Sequence, residues 1–396
     1  MLLVFANPEE SAQVSQAFED MRPKWEFECV NDPATVASLL PRASFDAAVV
    51  DLLLPAGAGV ELLQQLMELS PHTLRLGLTT GSERHSLQQV GAPVHQFLSK
   101  PCDPTVLRAV LARAFAAHNF VANDEFKKLV AGITSLPVLP RIYVELMQEL
   151  TSAEPSLERA GQVVARDMGL SVKILQLVNS AFFGLGRQIG HPSEAAMFLG
   201  TETLKALALS LQVFSQFQHL KLTELSVENL WQHSWTTGVL AKRLCDLEET
   251  NRTLTDEAFV SGLLHDVGKL VLAANFPSSL EQNIRQSRHD NIPLWEQECR
   301  GWGASHAELG GYVLERWGLA PGVVEAVAFH HRPAQARQQS FCAVTAVHAA
   351  NTLGRGPSNQ CNTPHQPLDV DYLRSLGLAD RVPGWKQFFS EASENR

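Results

Sequence analysis

Three side chains that could do metal and phosphate chemistry fall close together in the apolar segment Gly262–Leu270. They are the imidazole of His265, the carboxylate of Asp266 and the ammonium of Lys269. Neutral imidazoles and carboxylates are ligands for first-row transition metals. On a helix, Lys269 would share a face with His265, four residues earlier, and could hold a phosphate there. The segment therefore predicts a metal site of the phosphohydrolase type.

Four further histidines stand where the same metal site could recruit them, namely His233 upstream and His306, His330 and His331 downstream. In a functional interpretation, two cations share these ligands and generate a hydroxide that attacks phosphorus, while Lys269 stabilises the phosphoryl charge. In a structural interpretation, the same side chains tie helices together through buried hydrogen bonds, around one adventitious ion or none.

The elements that come first in the chain alternate short apolar runs with amphipathic stretches. Strands are predicted at Leu2–Ala6, Glu26–Val30, Asp46–Val50, Leu74–Thr79 and Val94–Leu98. Helices are predicted near residues 9–21, 33–40, 59–69, 83–90 and 104–118. Five strands alternating with five helices predict a doubly wound α/β fold, a five-stranded parallel sheet with helices on both faces.

Three polar residues follow strands of this predicted sheet: Asp51, Thr80 (with Thr79 as the alternative) and Lys100. Ligands of such folds bind beyond the carboxyl ends of the strands, which is where these residues would lie. We therefore expect a second site in the first 118 residues.

Asp51, the turn between Pro55 and Gly59, and the pair Lys100-Pro101 stand at spacings that resemble the flavodoxin-like receiver domain of two-component response regulators. The resemblance covers residues 1–118. It implies that Asp51 accepts a phosphoryl group from a sensor histidine kinase in a phosphorelay. It also implies that the hydroxyl of Thr80 and the ammonium of Lys100 contact the phosphoryl oxygens.

The sequence departs from the receiver pattern just after the first strand. Receivers carry an acidic pair there that helps to hold Mg²⁺, whereas this chain has Ala6 and Asn7. Mg²⁺ prefers anionic oxygen, and Asn7 offers only a neutral carbonyl as a weak ligand. Two interpretations follow: Mg²⁺-dependent phosphorylation of Asp51, or a receiver fold that serves as a dimerisation or docking surface.

The rest of the chain has no strand-turn-strand pattern. Apolar residues recur every three or four positions between frequent Gly and Pro stops, which predicts an all-α domain of about ten short helices. The expected organisation is a receiver-like domain at 1–118, a helical linker at 119–130, a helical domain at 131–354 with halves 131–217 and 228–354, and a polar loop with a short helix at 355–396.

The helical part resembles the HDOD domain, an HD-related output domain of bacterial signalling proteins, over about residues 125–355. The matching motifs, in order, are Leu136-Pro137 and Leu139-Pro140, Asn179-Ser180-Ala181, Ala195 to Gly200, Gly262 to Leu270, His306 to Gly310, Trp317-Gly318-Leu319 and His330-His331. The wider HD superfamily of phosphohydrolases uses a first His, a His–Asp pair, further histidines and a late Asp. The resemblance implies the ligands His233, His265, Asp266, His306, His330 and His331, with Asn351 in the place of the late carboxylate.

The same resemblance separates metal binding from catalysis. The HD-GYP branch hydrolyses cyclic di-GMP, but His331 is followed here by Arg332-Pro333 without a Gly-Tyr-Pro segment. The amide of Asn351 neither supplies negative charge nor accepts a proton. We therefore expect Fe, Mn or Zn to bind to a non-hydrolytic output module. The alternatives are a metal-dependent phosphohydrolase acting on a nucleotide or cyclic dinucleotide, and a sensor that binds a phosphorylated small molecule.

Composition limits the class of protein further. The 396 residues are 45% hydrophobic and 19% charged, as in globular proteins of two or three domains. The net charge of −10 leaves no basic surplus for nucleic acid or membrane surfaces. With no signal peptide, no spanning segment and no CxxC pair, we expect a cytoplasmic signal-transduction protein. Its expected partners are a sensor histidine kinase, a downstream signalling protein or nucleotide second messenger, and a second copy of itself.

Two polar residues and four aromatic residues of the helical part are expected to be structural. Asp167 and Asn179 stand where helices begin or end and so predict caps. Phe182, Phe183, Trp231 and Trp235 are spaced as helical core residues.

Overall fold

The structure is a computed structural model that describes the chain at residues 1–17, 26–32, 35, 36, 39, 45, 47–69, 73–80, 94, 96–100, 107, 108, 124–133, 140–152, 154–180, 183, 185, 187–336, 340–354 and 363–394. It divides into an N-terminal unit, residues 1–131 with 314–319, and a helical unit, residues 132–313 with 320–396. The prediction of a parallel sheet followed by a mostly helical part is confirmed. The predicted helices near 33–40, 83–90 and 104–118 fall mostly or wholly outside the described residues.

The N-terminal unit contains a parallel sheet with the strand order β2-β1-β3-β4-β5. Its strands are β1 (Leu2–Val4), β2 (Glu28–Val30), β3 (Ala47–Asp51), β4 (Leu74–Thr79) and β5 (Gln96–Ser99). Because β1 lies between β2 and β3, the chain reverses its direction of winding there, and the carboxyl ends of β1 and β3 open a crevice.

Alternation along β1 explains how the sheet is covered. Leu3 belongs to one apolar cluster and Leu2 to another, because successive side chains of a strand point to opposite faces. Helix α1 (Pro8–Ala17) contributes Val14 to the first cluster, and helix α2 (Ala58–Leu69) contributes Leu63 to the second. These two helices therefore cover opposite faces of the sheet. A third helix of this unit, α3, spans Asp124–Ala131.

The helical unit is built from helices of 6 to 25 residues. They are α4 (Arg141–Leu150), α5 (Leu157–Ala165), α6 (Met168–Val178), α7 (Pro192–Gln216), α8 (Val227–Leu247), α9 (Arg252–Leu264), α10 (Val267–Asn275), α11 (Pro277–Asp290), α12 (Leu294–Trp302), α13 (His306–Arg316), α14 (Pro321–Phe329), α15 (Ala343–Leu353), α16 (Val370–Ser375) and α17 (Val382–Glu394). Twelve of these described helices fall within residues 131–354, where about ten were expected. None of the described helices is both long and apolar enough to cross a membrane.

One apolar core joins the second half of the helical unit. Leu240 and Leu244 of α8 pack in it with Val347 of α15, and Trp385 and Phe389 of α17 close it. The indole nitrogen of Trp385 donates a 2.8 Å hydrogen bond to Glu248 Oε1, which satisfies its polar atom inside this core. The last helix is thereby attached to the helices that carry the predicted metal ligands.

Two glycines set the distances between the helices that carry the histidines. A Cβ atom at Gly262 would lie 2.5 Å from the Cα atom of Gly238, so α8 and α9 meet backbone to backbone. A Cβ atom at Gly268 would lie 1.9 Å from the carbonyl oxygen of His306, so the first turn of α10 packs on the start of α13. A larger residue at either position would force these close-packed helices apart.

Candidate metal centre

The His–Asp pair lies at a break between two helices. Helix α9 ends at Leu264 and α10 begins at Val267, with His265 as the C-cap of the first helix and Asp266 as the N-cap of the second. The expectation that His265 and Lys269 share one continuous helix face is therefore wrong. The Lys269 ammonium instead donates a 2.8 Å hydrogen bond to Asp266 Oδ2.

The first group of candidate metal ligands is formed by His233 of α8 together with His265 and Asp266. The Nε2 atoms of the two histidines lie 3.1 Å apart, and Asp266 Oδ2 lies 3.3 Å from His265 Nε2 and 3.8 Å from His233 Nε2. His265 and Asp266 are fully buried, whereas the His233 side chain keeps 11% of its surface exposed.

The second group is formed by His306, the first residue of α13, with His330 and His331 from the end of α14. The other carboxylate oxygen of Asp266, Oδ1, lies 3.2 Å from His306 Nε2 and 4.0 Å from His330 Nε2. His331 Nε2 is 3.0 Å from His306 Nε2. Asp266 therefore stands between the two groups, with one oxygen facing each.

Four of the five imidazoles have their Nδ1 atom beside an acceptor, which fixes the tautomer. His265 and His330 donate to the carbonyl oxygens of Gly262 and Val327 at 2.8 and 2.7 Å. His306 donates to Glu298 Oε2 and His331 donates to Gln366 Oε1, both at 2.6 Å. Since these acceptors require an N–H on Nδ1, each neutral ring keeps its lone pair on Nε2, directed into the cluster.

Two buried acceptor atoms inside the cluster lack a hydrogen-bond donor among the described residues. Asp266 Oδ1 and His330 Nε2 are buried without a hydrogen-bond partner among the described residues. Buried polar atoms of this kind call for a bound ion or water. A transition metal fits the donor set, because imidazole nitrogen and carboxylate oxygen are its usual ligands in proteins.

Burial and neighbouring charges shape the protonation of the site. Burial lowers the pKa of His330 and of His331 well below the usual range, and the neighbouring imidazoles lower it further, so both rings are neutral. Burial also lowers the pKa of His306, but the Glu298 carboxylate and the contact with Asp266 together outweigh burial, so the pKa of His306 is raised. For Asp266, burial raises the pKa, but His265 and Lys269 outweigh it and hold the pKa well below its ordinary value.

Two residues that support the ligands were not found from the sequence. Glu298 of α12 is fully buried, and its Oε2 accepts hydrogen bonds from both the backbone N–H and the ring of His306. The amide of Gln366 holds His331 twice, because it accepts from the ring and donates to the His331 carbonyl. Such contacts orient a ligand ring and fix its tautomer.

The remaining polar residues near this part of the chain have other positions. His348 donates from Nδ1 to the His330 carbonyl at 2.7 Å and accepts at Nε2 from the Asp369 N–H at 3.0 Å, so it is a satisfied core histidine. Asn351 is buried on α15. Its role as the residue in the place of a metal carboxylate stays a prediction.

Asp51, the candidate phosphoacceptor of the N-terminal unit, lies buried at the end of β3. Its Oδ2 accepts from Lys100 Nζ at 2.7 Å and from the Ala6 N–H at 3.2 Å, and its Oδ1 accepts from the Leu53 N–H at 3.0 Å. Glu10 of α1 is also paired with Lys100, at 3.0 Å. The ammonium thus joins two carboxylates, and Glu10, from the turn that follows Asn7, is a further acidic group at this site.

The other predicted residues of this site make contacts with their own chain neighbours. Thr80 is half-buried just beyond β4, and its backbone carbonyl accepts from the Thr79 hydroxyl at 3.2 Å. Asn7 is exposed, and its side-chain oxygen accepts from the Glu9 N–H at 2.9 Å. The weak Mg²⁺ ligand expected at Asn7 is therefore engaged at the start of α1.

Comparison with known families defines the class of protein. The HDOD domain matches residues 136–333, and the response regulator receiver domain matches residues 2–112. The chain belongs to the HDOD family and carries an N-terminal receiver domain. This combination supports a signal-transduction response regulator, and the receiver domain implies interaction with a phosphodonor such as a histidine kinase.

Two relatives align with half of this chain or more. An uncharacterized protein of Treponema pallidum is 26% identical over 275 residues, which cover 68% of this chain and 52% of the relative. The cyclic di-GMP phosphodiesterase CdgJ of Vibrio cholerae is 27% identical over 229 residues, or 52% of this chain and 49% of that protein. The chain thus matches about half the length of these relatives.

A solved structure shows the same fold. The crystal structure of an HDOD domain protein of unknown function from Geobacter sulfurreducens aligns with a TM-score of 0.55 and 24% identity. The alignment covers 68% of this chain and 92% of that one.

Proposed function

We propose that the protein is a cytoplasmic response regulator whose receiver domain controls an HDOD output module, and that this module binds a divalent transition metal and acts by binding a protein or ligand. The main support for metal binding is the position of Asp266, whose two carboxylate oxygens face two groups of imidazoles. One of these oxygens, Oδ1, has no hydrogen-bond partner among the described residues. Fe, Mn and Zn all suit such ligands.

Each residue group has a definite part in this proposal. His233, His265 and Asp266 Oδ2 would hold one cation, and His306, His330, His331 and Asp266 Oδ1 would hold a second. A bound metal supplies Lewis acidity toward a phosphoryl oxygen. Glu298 and Gln366 keep the rings of the second group oriented, and Lys269 supplies positive charge beside the carboxylate.

Two features of the sequence favour metal binding without hydrolysis. Asn351 takes the place in which the superfamily has a second carboxylate, so metal affinity and hydroxide formation are both weakened. The residues after His331 are Arg332-Pro333-Ala334-Gln335, without a Gly-Tyr-Pro segment. The signal-bearing ligand in this proposal is a phosphorylated small molecule such as a nucleotide second messenger, or a downstream signalling protein.

A second candidate is a metal-dependent phosphodiesterase that acts on a nucleotide or cyclic dinucleotide. The observation in its favour is the full set of five histidines and one aspartate, together with the likeness to the relative named as a cyclic di-GMP phosphodiesterase. Hydrolysis would need a metal-bound hydroxide within reach of a phosphodiester.

In this proposal, the site around Asp51 in the receiver domain controls the HDOD output module. Asp51, Lys100 and Glu10 form a chain of charge-assisted contacts at the carboxyl edge of the sheet. Phosphorylation of Asp51, or an ion bound beside it, would redistribute these contacts and so change the state of the receiver. A sensor histidine kinase is the proposed phosphodonor.

One experiment separates binding from turnover. The full-length protein, loaded with Mn²⁺, is incubated with cyclic di-GMP, and bound nucleotide and linear products are measured by equilibrium dialysis and chromatography. We expect no product from the wild-type protein. Product formation that is lost in the His265→Ala/Asp266→Ala variant would overturn the non-hydrolytic proposal and support the phosphodiesterase.

A further inference from the structure

The Asp266 carboxylate, which faces both groups of histidines, is already paired with the ammonium of Lys269. The ammonium of Lys269 lies 2.8 Å from Asp266 Oδ2, and the two residues are 6% and 1% exposed. Among the described residues, Asp266 is the polar partner recorded for this ammonium. A buried ammonium requires a counter-charge, because its desolvation is costly without one.

The position of this ion pair makes the two groups of ligands unequal. Oδ2 is the oxygen that faces His233 and His265, and the ammonium shares it with them. Oδ1 faces His306 and His330 and has no hydrogen-bond partner among the described residues. A metal ion at the first group would therefore meet a like charge at its carboxylate ligand, whereas one at the second group would not share that oxygen with an ammonium.

We propose that Lys269 is an internal competitor for the metal ion at the His233–His265–Asp266 group, and that a tetrahedral oxyanion bound by Lys269 releases Asp266 to the metal. The oxyanion class is that of phosphate and phosphodiesters. Metal and oxyanion then bind with positive coupling, and each raises the affinity for the other by the same factor. This inference rests on the metal binding proposed above.

Accessibility supports the coupling. The side chains of His233 and Lys269 are 11% and 8% exposed. The other histidines paired with Asp266 are about 1% exposed or fully buried; they are His265, His306 and His330. Solvent reaches the cluster at His233 and Lys269, and also at His331 of the second group, which is 7% exposed. An oxyanion that enters beside His233 and Lys269 meets the ammonium first.

The test is a Mn²⁺ titration of the full-length protein by isothermal calorimetry, with and without sodium sulfate at matched ionic strength. Sulfate serves as the oxyanion because it is tetrahedral and binds Mn²⁺ weakly. The variants are Lys269→Met and, as a control that removes the same charge elsewhere in the helical unit, Lys386→Met on the exposed face of α17. Circular dichroism establishes that both variants are folded.

We expect sulfate to tighten Mn²⁺ binding to the wild-type protein and to the Lys386→Met control by about fivefold or more. Lys269→Met should bind Mn²⁺ about tenfold more tightly than wild type without sulfate and should not respond to sulfate. Unchanged affinity in the folded Lys269→Met variant overturns the proposal, and so does a wild type that ignores sulfate. If Lys269→Met does not fold, the wild-type sulfate titration decides. A wild type that binds no Mn²⁺ at all overturns the proposed function itself.

Discussion

The Nε2 atoms of His306 and His331 lie 3.0 Å apart, although the Nδ1 atom of each ring already faces an acceptor. Two neutral rings with this tautomer would direct lone pairs at each other, so a cation or an extra proton must lie between them. The Glu298 carboxylate beside His306 raises the pKa of that ring, which favours positive charge at this position. In the metal-bound protein, the ion takes its place.

Glu298 should control metal affinity although it is not itself a proposed ligand. Glu298→Gln removes the charge that holds the His306 ring, so we expect metal affinity to fall by about tenfold to a hundredfold. Glu296→Gln on the same helix is the matched control and should leave the affinity unchanged. Equal affinities for the two variants, measured by Mn²⁺ titration, would show that Glu298 does not position the site.

Asn179 should act on stability alone. Its side chain donates to the carbonyls of Leu175 and Ile189 and accepts from the Ile189 N–H, so it joins the end of α6 to the next segment. Loss of these bonds in Asn179→Ala should lower the free energy of unfolding by about 1–3 kcal/mol. Chemical denaturation measures this, with the exposed Asn229→Ala as control. A change in Mn²⁺ affinity at unchanged stability would contradict the structural role.

The cysteines should differ in reactivity with pH. Burial raises the pKa of the Cys245 thiol to about 12 and that of Cys299 to about 11, so both are protonated at pH 8 and resist alkylation. Cys29 is exposed and should react. Iodoacetamide labelling followed by peptide mass mapping reads each site separately. Labelling of Cys245 in the native protein as fast as in denaturant would contradict its place in the core.

The receiver should be a poor acceptor of phosphate until its acidic pair is restored. Because Asn7 is engaged by Glu9 and Ala6 has no ligand atom in its side chain, we expect slow phosphorylation of Asp51 by acetyl phosphate and Mg²⁺. The Ala6→Asp/Asn7→Asp variant should be modified several-fold faster, and Asp51→Ala should not be modified. Intact-protein mass spectrometry over time gives the rates. A wild type as fast as the restored variant would show that Glu10 or another group already serves the metal.

Much of the fold could be predicted because its signals are local. The continuous apolar run Leu2-Leu3-Val4 predicts a strand buried on both faces, and the two apolar clusters take alternate residues of this run. Asp167 was expected to be a helix cap, and its side chain does accept from the Leu170 N–H at 2.9 Å. Capping and alternation act over a few residues, so the sequence alone reveals them.

The unpredicted features depend on contacts between distant segments. The break between His265 and Val267 has no proline or glycine at the junction itself; it accompanies the close approach of Gly268 to the His306 carbonyl. Glu298 and Gln366 reach their histidines only because α12 and the segment before α16 pack beside them. The hydrophobic periodicity of a sequence does not show which distant segments pack together.

The imidazoles around Asp266 are proposed to hold a metal ion. The most direct test is elemental analysis of full-length protein purified without chelator or nickel affinity, beside the His265→Ala/Asp266→Ala variant. We expect about one or two equivalents of Fe, Mn or Zn in the wild type and loss of that metal in the folded variant. Wild-type protein that is folded and metal-free, and that takes up none of these ions when they are offered, would contradict the proposal.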